Sequence, residues 1–278
     1  MTVGTSNARA ALLEGKVALV TGSSRGIGAA IAAGFADEGA TVVVNCRSSE
    51  KRAEEVLAAV RRTSPRSTLM RFDVADAAGV RRAVSDIVTR FGRIDVLVNN
   101  AGILEARGLL DIDEALLDRT LGVNVKGGLF CLQAVAARMK EQGGGSVINV
   151  SSLSQSSPFF NSCHYAMSKA AVMMLTRCAA LELGPCRIRV NSLIPGIIET
   201  EIDPGYRDEA LMRRMRAIIP LGAVGAPPDM VGAAVFLASD AYAYVTGTDI
   251  VVDGGFSLFQ DKNPKGESPA GDRGEQED

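Results

Sequence analysis

Tyr165 and Lys169 stand four residues apart, a spacing that puts two side chains on one face of a helix. A phenol with a pKa of about 10 exchanges protons poorly near neutrality, and a nearby ammonium favours its phenolate. Lys169 is placed to supply that charge. Just upstream lie Ser151, Ser152, Ser154, Ser156 and Ser157, hydroxyls suited to holding a substrate oxygen. His164 adjoins Tyr165, but consecutive helix residues point ~100° apart. It is expected to pack or to face solvent, with a proton relay as the alternative. Cys163 has no evident activating partner and is read as inert.

A second constellation suits phosphate. Thr21-Gly22-Ser23-Ser24-Arg25-Gly26-Ile27-Gly28 follows a short apolar run and opens onto AAIAAGFADEG. A turn without Cβ atoms lets backbone N–H groups approach a pyrophosphate, and a helix N-terminus adds partial positive charge. The spacing is G-x-x-x-G-x-G, not the G-x-G-x-x-G of the common dinucleotide fingerprint.

These groups need a frame, and the hydrophobic pattern supplies one. Val17–Val20, Thr41–Asn45, Thr68–Phe72, Ile94–Val98, Ser146–Val150, Ile188–Leu193 and Ile250–Val252 are short and β-branched. Several are apolar without alternation, as expected of strands covered on both faces. Between them lie helical patterns at Gly26–Glu38, Glu50–Arg61, Asp76–Arg90, Asp113–Glu141 and Ser162–Leu183. Strands alternating with helices predict a single-domain α/β fold, a Rossmann-like doubly wound parallel sheet of about seven strands with helices on both faces. Residues 15–260 form the expected domain, after an N-terminal extension of residues 1–14 and before a polar, flexible tail over 261–278. Glu199–Pro220 interrupts the rhythm beyond the sixth strand, where ligands of such sheets bind, and is read as a substrate lid.

The 278 residues carry 30 basic and 32 acidic side chains and one histidine. That balance favours neither nucleic acid nor a membrane surface. Five cysteines without C-x-x-C spacing argue against a disulfide framework or a zinc site, so no metal is expected. With no signal-like apolar run near the start, a cytoplasmic protein is expected.

Taken together, the motifs resemble the short-chain dehydrogenase/reductase family over roughly residues 14–259. Thr21–Gly28 looks like that family's cofactor loop, Asn99-Asn100-Ala101-Gly102 like its NNAG, and Asp73-Val74 like its adenine-side pair. Tyr165 and Lys169 match its Tyr-x-x-x-Lys, and Asn191–Thr200 its stretch after the sixth strand. The resemblance implies catalytic roles for Tyr165 as acid/base, Lys169 as its modulator, Ser152 as holder of the substrate oxygen and Asn124 as support for a water relay. Ser151 and Ser154 remain alternatives to Ser152. The implied cofactor contacts are Gly22, Ser24, Arg25, Gly26, Ile27, Gly28, Arg47, Ser48, Asp73, Val74, Asn100, Ala101, Gly102, Tyr165, Lys169, Pro195, Gly196, Ile198 and Thr200. Where NAD-preferring folds carry an acid at the end of the second strand, this chain has Val44-Asn45-Cys46-Arg47-Ser48. Arg47 and Arg25 suit a 2′-phosphate, so NADP(H) is the expected cofactor.

The implied reaction is hydride transfer between NADP(H) and a small-molecule carbonyl or alcohol, free or carrier-bound. Ile103, Leu104, Leu153, Phe159, Phe160 and Ile197 are candidate substrate-facing residues. Their apolar character points to reduction of a 3-oxoacyl or other hydrophobic ketone. The alternatives are a sugar, steroid or secondary-alcohol dehydrogenase working oxidatively, or a non-catalytic NADP-binding regulator. Family resemblance also implies a homo-oligomer, tetramer or dimer, formed through the two long helices.

Overall fold

A computed structural model describes residues 11–200 and 209–258. The expected polar tail and residues 1–10 and 201–208 lie outside the described residues. The apolar runs become strands β1 (Val17–Val20), β2 (Thr41–Cys46), β3 (Thr68–Arg71), β4 (Val96–Asn99), β5 (Gly145–Val150), β6 (Ile188–Pro195) and β7 (Asp249–Val252). All neighbours pair in parallel, in the order β3-β2-β1-β4-β5-β6-β7. The strand order reverses between β1 and β4, which opens a crevice beyond their carboxyl ends.

Helices α1 (Gly26–Asp37), α2 (Glu50–Val60), α3 (Ala77–Phe91), α4 (Glu114–Leu121), α5 (Gly128–Glu141), α6 (Cys163–Leu183), α7 (Glu209–Ile218) and α8 (Val231–Ala238) complete the described part. The missing alternation in the strands has a direct cause. Ala18 and Val20 of β1 enter a core with Ile31 and Phe35 of α1, Leu57 of α2 and Leu237 of α8. Val17 and Leu19 enter the opposite core with Val80 and Ile87 of α3 and Val135 and Met139 of α5. Each large side chain so buried contributes about 1.5–3 kcal/mol of transfer free energy. Leu13, in the expected N-terminal extension, is fully buried in the first core.

Three elements differ from the sequence pattern. The single helix expected over Asp113–Glu141 is α4 and α5 joined by a π-helical turn, Gly122–Gly127. The described end of the Glu199–Pro220 segment is a regular helix, α7. The run that becomes α8, VGAAVFLA, has too little polar contrast to reveal its period. By length and a mean hydropathy of 1.2, Glu114–Glu141 is the one helix among the described residues apolar enough to cross a membrane. It packs against α3 and α6 with Cys131, Val135 and Met139 fully buried, as a core helix does.

Candidate active site

The glycine turn after β1 is held open by close approach to the loop after β4. Gly22 has φ 62°, and a Cβ there would lie 2.8 Å from Ala101 Cα. A Cβ on Gly28 would lie 2.8 Å from Gly22 O. Side chains lock the two loops together. Asn100 Nδ2 donates to Thr21 O (2.9 Å) and Gly22 O (3.1 Å), while Thr21 Oγ1 accepts from Asn100 N (3.0 Å) and Ala101 N (3.1 Å). Helix α1 starts there without a side-chain cap. By contrast, Asp76 and Asp113 cap α3 and α4. The first-turn N–H groups of α1 are therefore left for a ligand, and an anion suits them.

These loops line a cleft of about 260 Å³. From the expected cofactor set it takes Gly22, Ser24, Arg25, Gly26, Ile27, Arg47, Ser48, Asp73, Val74, Asn100, Ala101, Gly102 and Thr200. An uncapped helix start, Cβ-free turns and cationic side chains fit a dinucleotide phosphate. The remaining expected contacts stand elsewhere. Gly28 packs inside the turn, Pro195 ends β6, and Gly196 donates its N–H to Val252 O (2.9 Å). The Ile198 side chain is buried in the first core.

Sequence reasoning missed the residue that organises this end of the sheet. Asn45, fully within β2 and buried, accepts from Gly22 N (2.9 Å) and donates to Met70 O and Phe72 O (both 3.2 Å). Ser23 Oγ accepts from Asn45 N and donates to Val20 O. The signal was present in the sequence, as one amide at the end of the apolar run TVVVN. Beside it, Arg47 lies 3.8 Å from the Asp73 carboxylate, with its side chain 64% exposed.

The hydroxyl–phenol–ammonium set assembles where β5 and α6 meet. Ser152 begins a 3-10 turn, Leu153–Gln155, and its Oγ accepts from Ser154 N (3.1 Å) and stands by the Tyr165 phenol, whose pKa it pulls down. Lys169 is buried and donates to Val150 O (2.9 Å), with its ammonium 5.5 Å from the Tyr165 ring centroid. Burial pushes the Tyr165 phenol up to about 12, with the Ser152 hydrogen bond pulling the other way, and pushes Lys169 down to about 8. For both groups desolvation is the largest cause.

Asn124 sits in the π-helical turn. The extra residue in that turn aims its amide out of the helix ladder. Its Oδ1 accepts from Ile103 N (2.9 Å), and its Nδ2 donates to Ile103 O and Ser168 Oγ (both 3.0 Å). Asn99, Asn124, Asn149 and Lys169 border a small cavity of about 10 Å³, and Asn99 Oδ1 has no partner. That volume matches one water.

The expected substrate-facing residues separate. Ile103 lines the cleft, but Leu153 is buried and Phe160 is 94% exposed. Phe159 stacks on Phe256 at 6.2 Å. Phe159 and Phe160 belong to another surface hollow, with Leu109 and Met167. Charged groups follow Ile103 instead. Glu105 pairs with Arg107 (2.5 Å) and Arg119 (2.8 Å), and Arg107 N donates to Asn161 O (2.7 Å). His164 is fully buried with neither ring nitrogen hydrogen-bonded. Cys163 Sγ lies 3.9 Å from Met167 Sδ. Among the described residues no cluster of three His, Cys, Asp or Glu is placed to hold a metal.

Comparison with known proteins gives consistent matches. The family model described as "Enoyl-(Acyl carrier protein) reductase" matches residues 22–257. An L-rhamnose 1-dehydrogenase (NAD(P)(+)) of Sphingomonas sp. is 43% identical over 246 residues, 88% of this chain and 97% of that protein. A 3-oxoacyl-[acyl-carrier-protein] reductase of Staphylococcus aureus is 39% identical over 243 residues, 87% of this chain and 98% of that one. The crystal structure of a gluconate 5-dehydrogenase from Burkholderia cenocepacia, in complex with NADP and tartrate, superposes with a TM-score of 0.85 at 36% identity, covering 90% of this chain and 98% of that one. The fold, the site and these matches agree: the chain is an oxidoreductase of the short-chain dehydrogenase/reductase family.

Proposed function

We propose that this enzyme oxidises a carbinol of a sugar or sugar-like polyol with NAD(P)+, reversing the expected preference for 3-oxoacyl reduction. The observation that carries the chemistry is the Tyr165 phenol beside Ser152 and within reach of buried Lys169, whose ammonium lies 5.5 Å from its ring centroid. The substrate class rests on two supports. The chain after Ile103 carries the charged Glu105 and Arg107, with Arg119 paired to Glu105, and relatives are named for rhamnose and gluconate.

The bound nicotinamide supplies the hydride acceptor. Tyr165 takes the hydroxyl proton as the carbinol C–H is lost, and Ser152 holds the same oxygen. Lys169 favours the phenolate electrostatically and passes the proton towards the small cavity that Asn124 borders. The carbinol thereby becomes a carbonyl, with one hydride and one proton leaving it. Arg25 and Arg47 support use of NADP(H). Exposed Met167, Met174 and Leu181 repeat every seven residues along α6, which supports a homo-oligomer through that face, to be read by light scattering. Five unbridged cysteines suit a reducing, cytoplasmic setting.

The test is a panel of L-rhamnose, D-gluconate, simple polyols and a 3-oxoacyl thioester, run with both cofactors on wild type and Tyr165→Phe. Sugar or polyol oxidation is expected, with kcat about 10²–10⁴-fold lower in the variant and NADPH binding retained. Turnover of the thioester alone overturns the substrate class. A fully active Tyr165→Phe enzyme overturns the mechanism.

A further inference from the structure

Ser152 sits on a turn of three residues whose own hydrogen bonds are local. Gln155 N donates to Ser152 O (3.0 Å), and Ser156 N to Leu153 O (3.2 Å). The turn is buried and packs on α6, but packing alone leaves a short turn free to shift slightly, and an oxygen-holding hydroxyl tolerates little displacement. One side chain ties it outward. Gln155, buried to 9% exposure, accepts from Ser151 Oγ (2.7 Å) through Oε1 and donates through Nε2 to Asp249 Oδ2 (3.2 Å). Asp249 is the first residue of β7, and the same oxygen takes Arg177 Nη2 at 3.4 Å. Arg177 belongs to α6, the helix that carries Tyr165 and Lys169.

We propose that Gln155, anchored on Asp249, is a positioning residue that holds Ser152 in register with Tyr165. The inference rests on the oxygen-holding role of Ser152 proposed above. The strap runs from the hydroxyl's turn to the sheet edge and back to the phenol's helix, so both partners share one reference. It requires a neutral amide, because one end must accept from Ser151 while the other donates to a carboxylate. A carboxylate in its place faces Asp249 with like charge.

Gln155→Glu therefore separates positioning from space-filling, since the size is kept and only the donor is lost. The expected kcat falls about 10²-fold, with the NADPH dissociation constant unchanged. The acid limb of the oxidation profile, set by the base, moves upward, because Tyr165 loses the Ser152 hydroxyl that holds its pKa down. Adding Asp249→Asn restores a donor facing the acceptor, and kcat is expected to recover most of its loss, a coupling that only contacting residues show. Should Gln155→Glu fail to fold, Gln155→Glu/Asp249→Asn and Asp249→Asn alone carry the same comparison. An unmoved pH profile and kcat in Gln155→Glu, or a double variant no better than the single one, overturns the proposal. Ser152→Ala is the control beneath it. If that change leaves kcat intact, the role of Ser152 itself falls. If it abolishes turnover while Gln155→Glu does not, only the strap falls.

Discussion

Arg47→Asp probes how the cleft chooses between NADP+ and NAD+. The guanidinium is 64% exposed and 3.8 Å from Asp73. At that distance, in nearly aqueous surroundings, one carboxylate holds it by about 1 kcal/mol. A 2′-phosphate bears close to two charges, and its charge-assisted hydrogen bonds contribute about 1.5–3 kcal/mol, so it displaces Asp73 as the preferred partner. Removing the cation should lower kcat/KM for NADP+ by about 10–10²-fold, at 1.4 kcal/mol per tenfold. The new carboxylate can accept from a ribose 2′-hydroxyl, so kcat/KM for NAD+ should hold or rise. Steady-state rates with each cofactor, at low and high salt, measure the ratio. Because Arg47 is exposed, any preference for NADP+ that it confers should shrink as salt rises. Equal losses with both cofactors would refute the reasoning, and so would a preference indifferent to salt.

Two further predictions concern the catalytic set. Asn124→Ala leaves the N–H and C=O of Ile103 without their amide partners, a cost of about 1–3 kcal/mol for each group that stays dry; both the melting temperature and kcat should fall, and a variant equal to wild type in both measurements contradicts the assigned geometry. Lys169 titrates near 8 when folded against 10.5 unperturbed, so unfolding takes up a proton between those values and its burial penalty fades as pH rises. Melting curves of wild type and Lys169→Met from pH 7 to 10 should therefore shift relative to each other in favour of wild type, and a constant difference would count against the buried ammonium.

The sequence by itself determined the fold class, because uninterrupted β-branched runs between helical patterns have one economical arrangement, a parallel sheet covered on both faces. It also determined the glycine turn and the Tyr165–Lys169 pair, since both depend on local spacing. Other features were decided only by tertiary structure. The π-helical turn at Gly122–Gly127 depends on where Asn124 finds Ile103, a partner 21 residues away. Asn45 and Gln155 looked like ordinary polar residues until the strands brought Gly22, Phe72 and Asp249 to them. The apolar residues read as substrate-facing separated because hydrophobicity does not say what a side chain touches: Ile103 lines the cleft, Leu153 went into the interior and Phe160 into solvent. The phenol's pKa likewise depends on the tertiary structure. A nearby lysine is visible in a sequence, whereas the desolvation that lifts Tyr165 to about 12 depends on everything that packs around it.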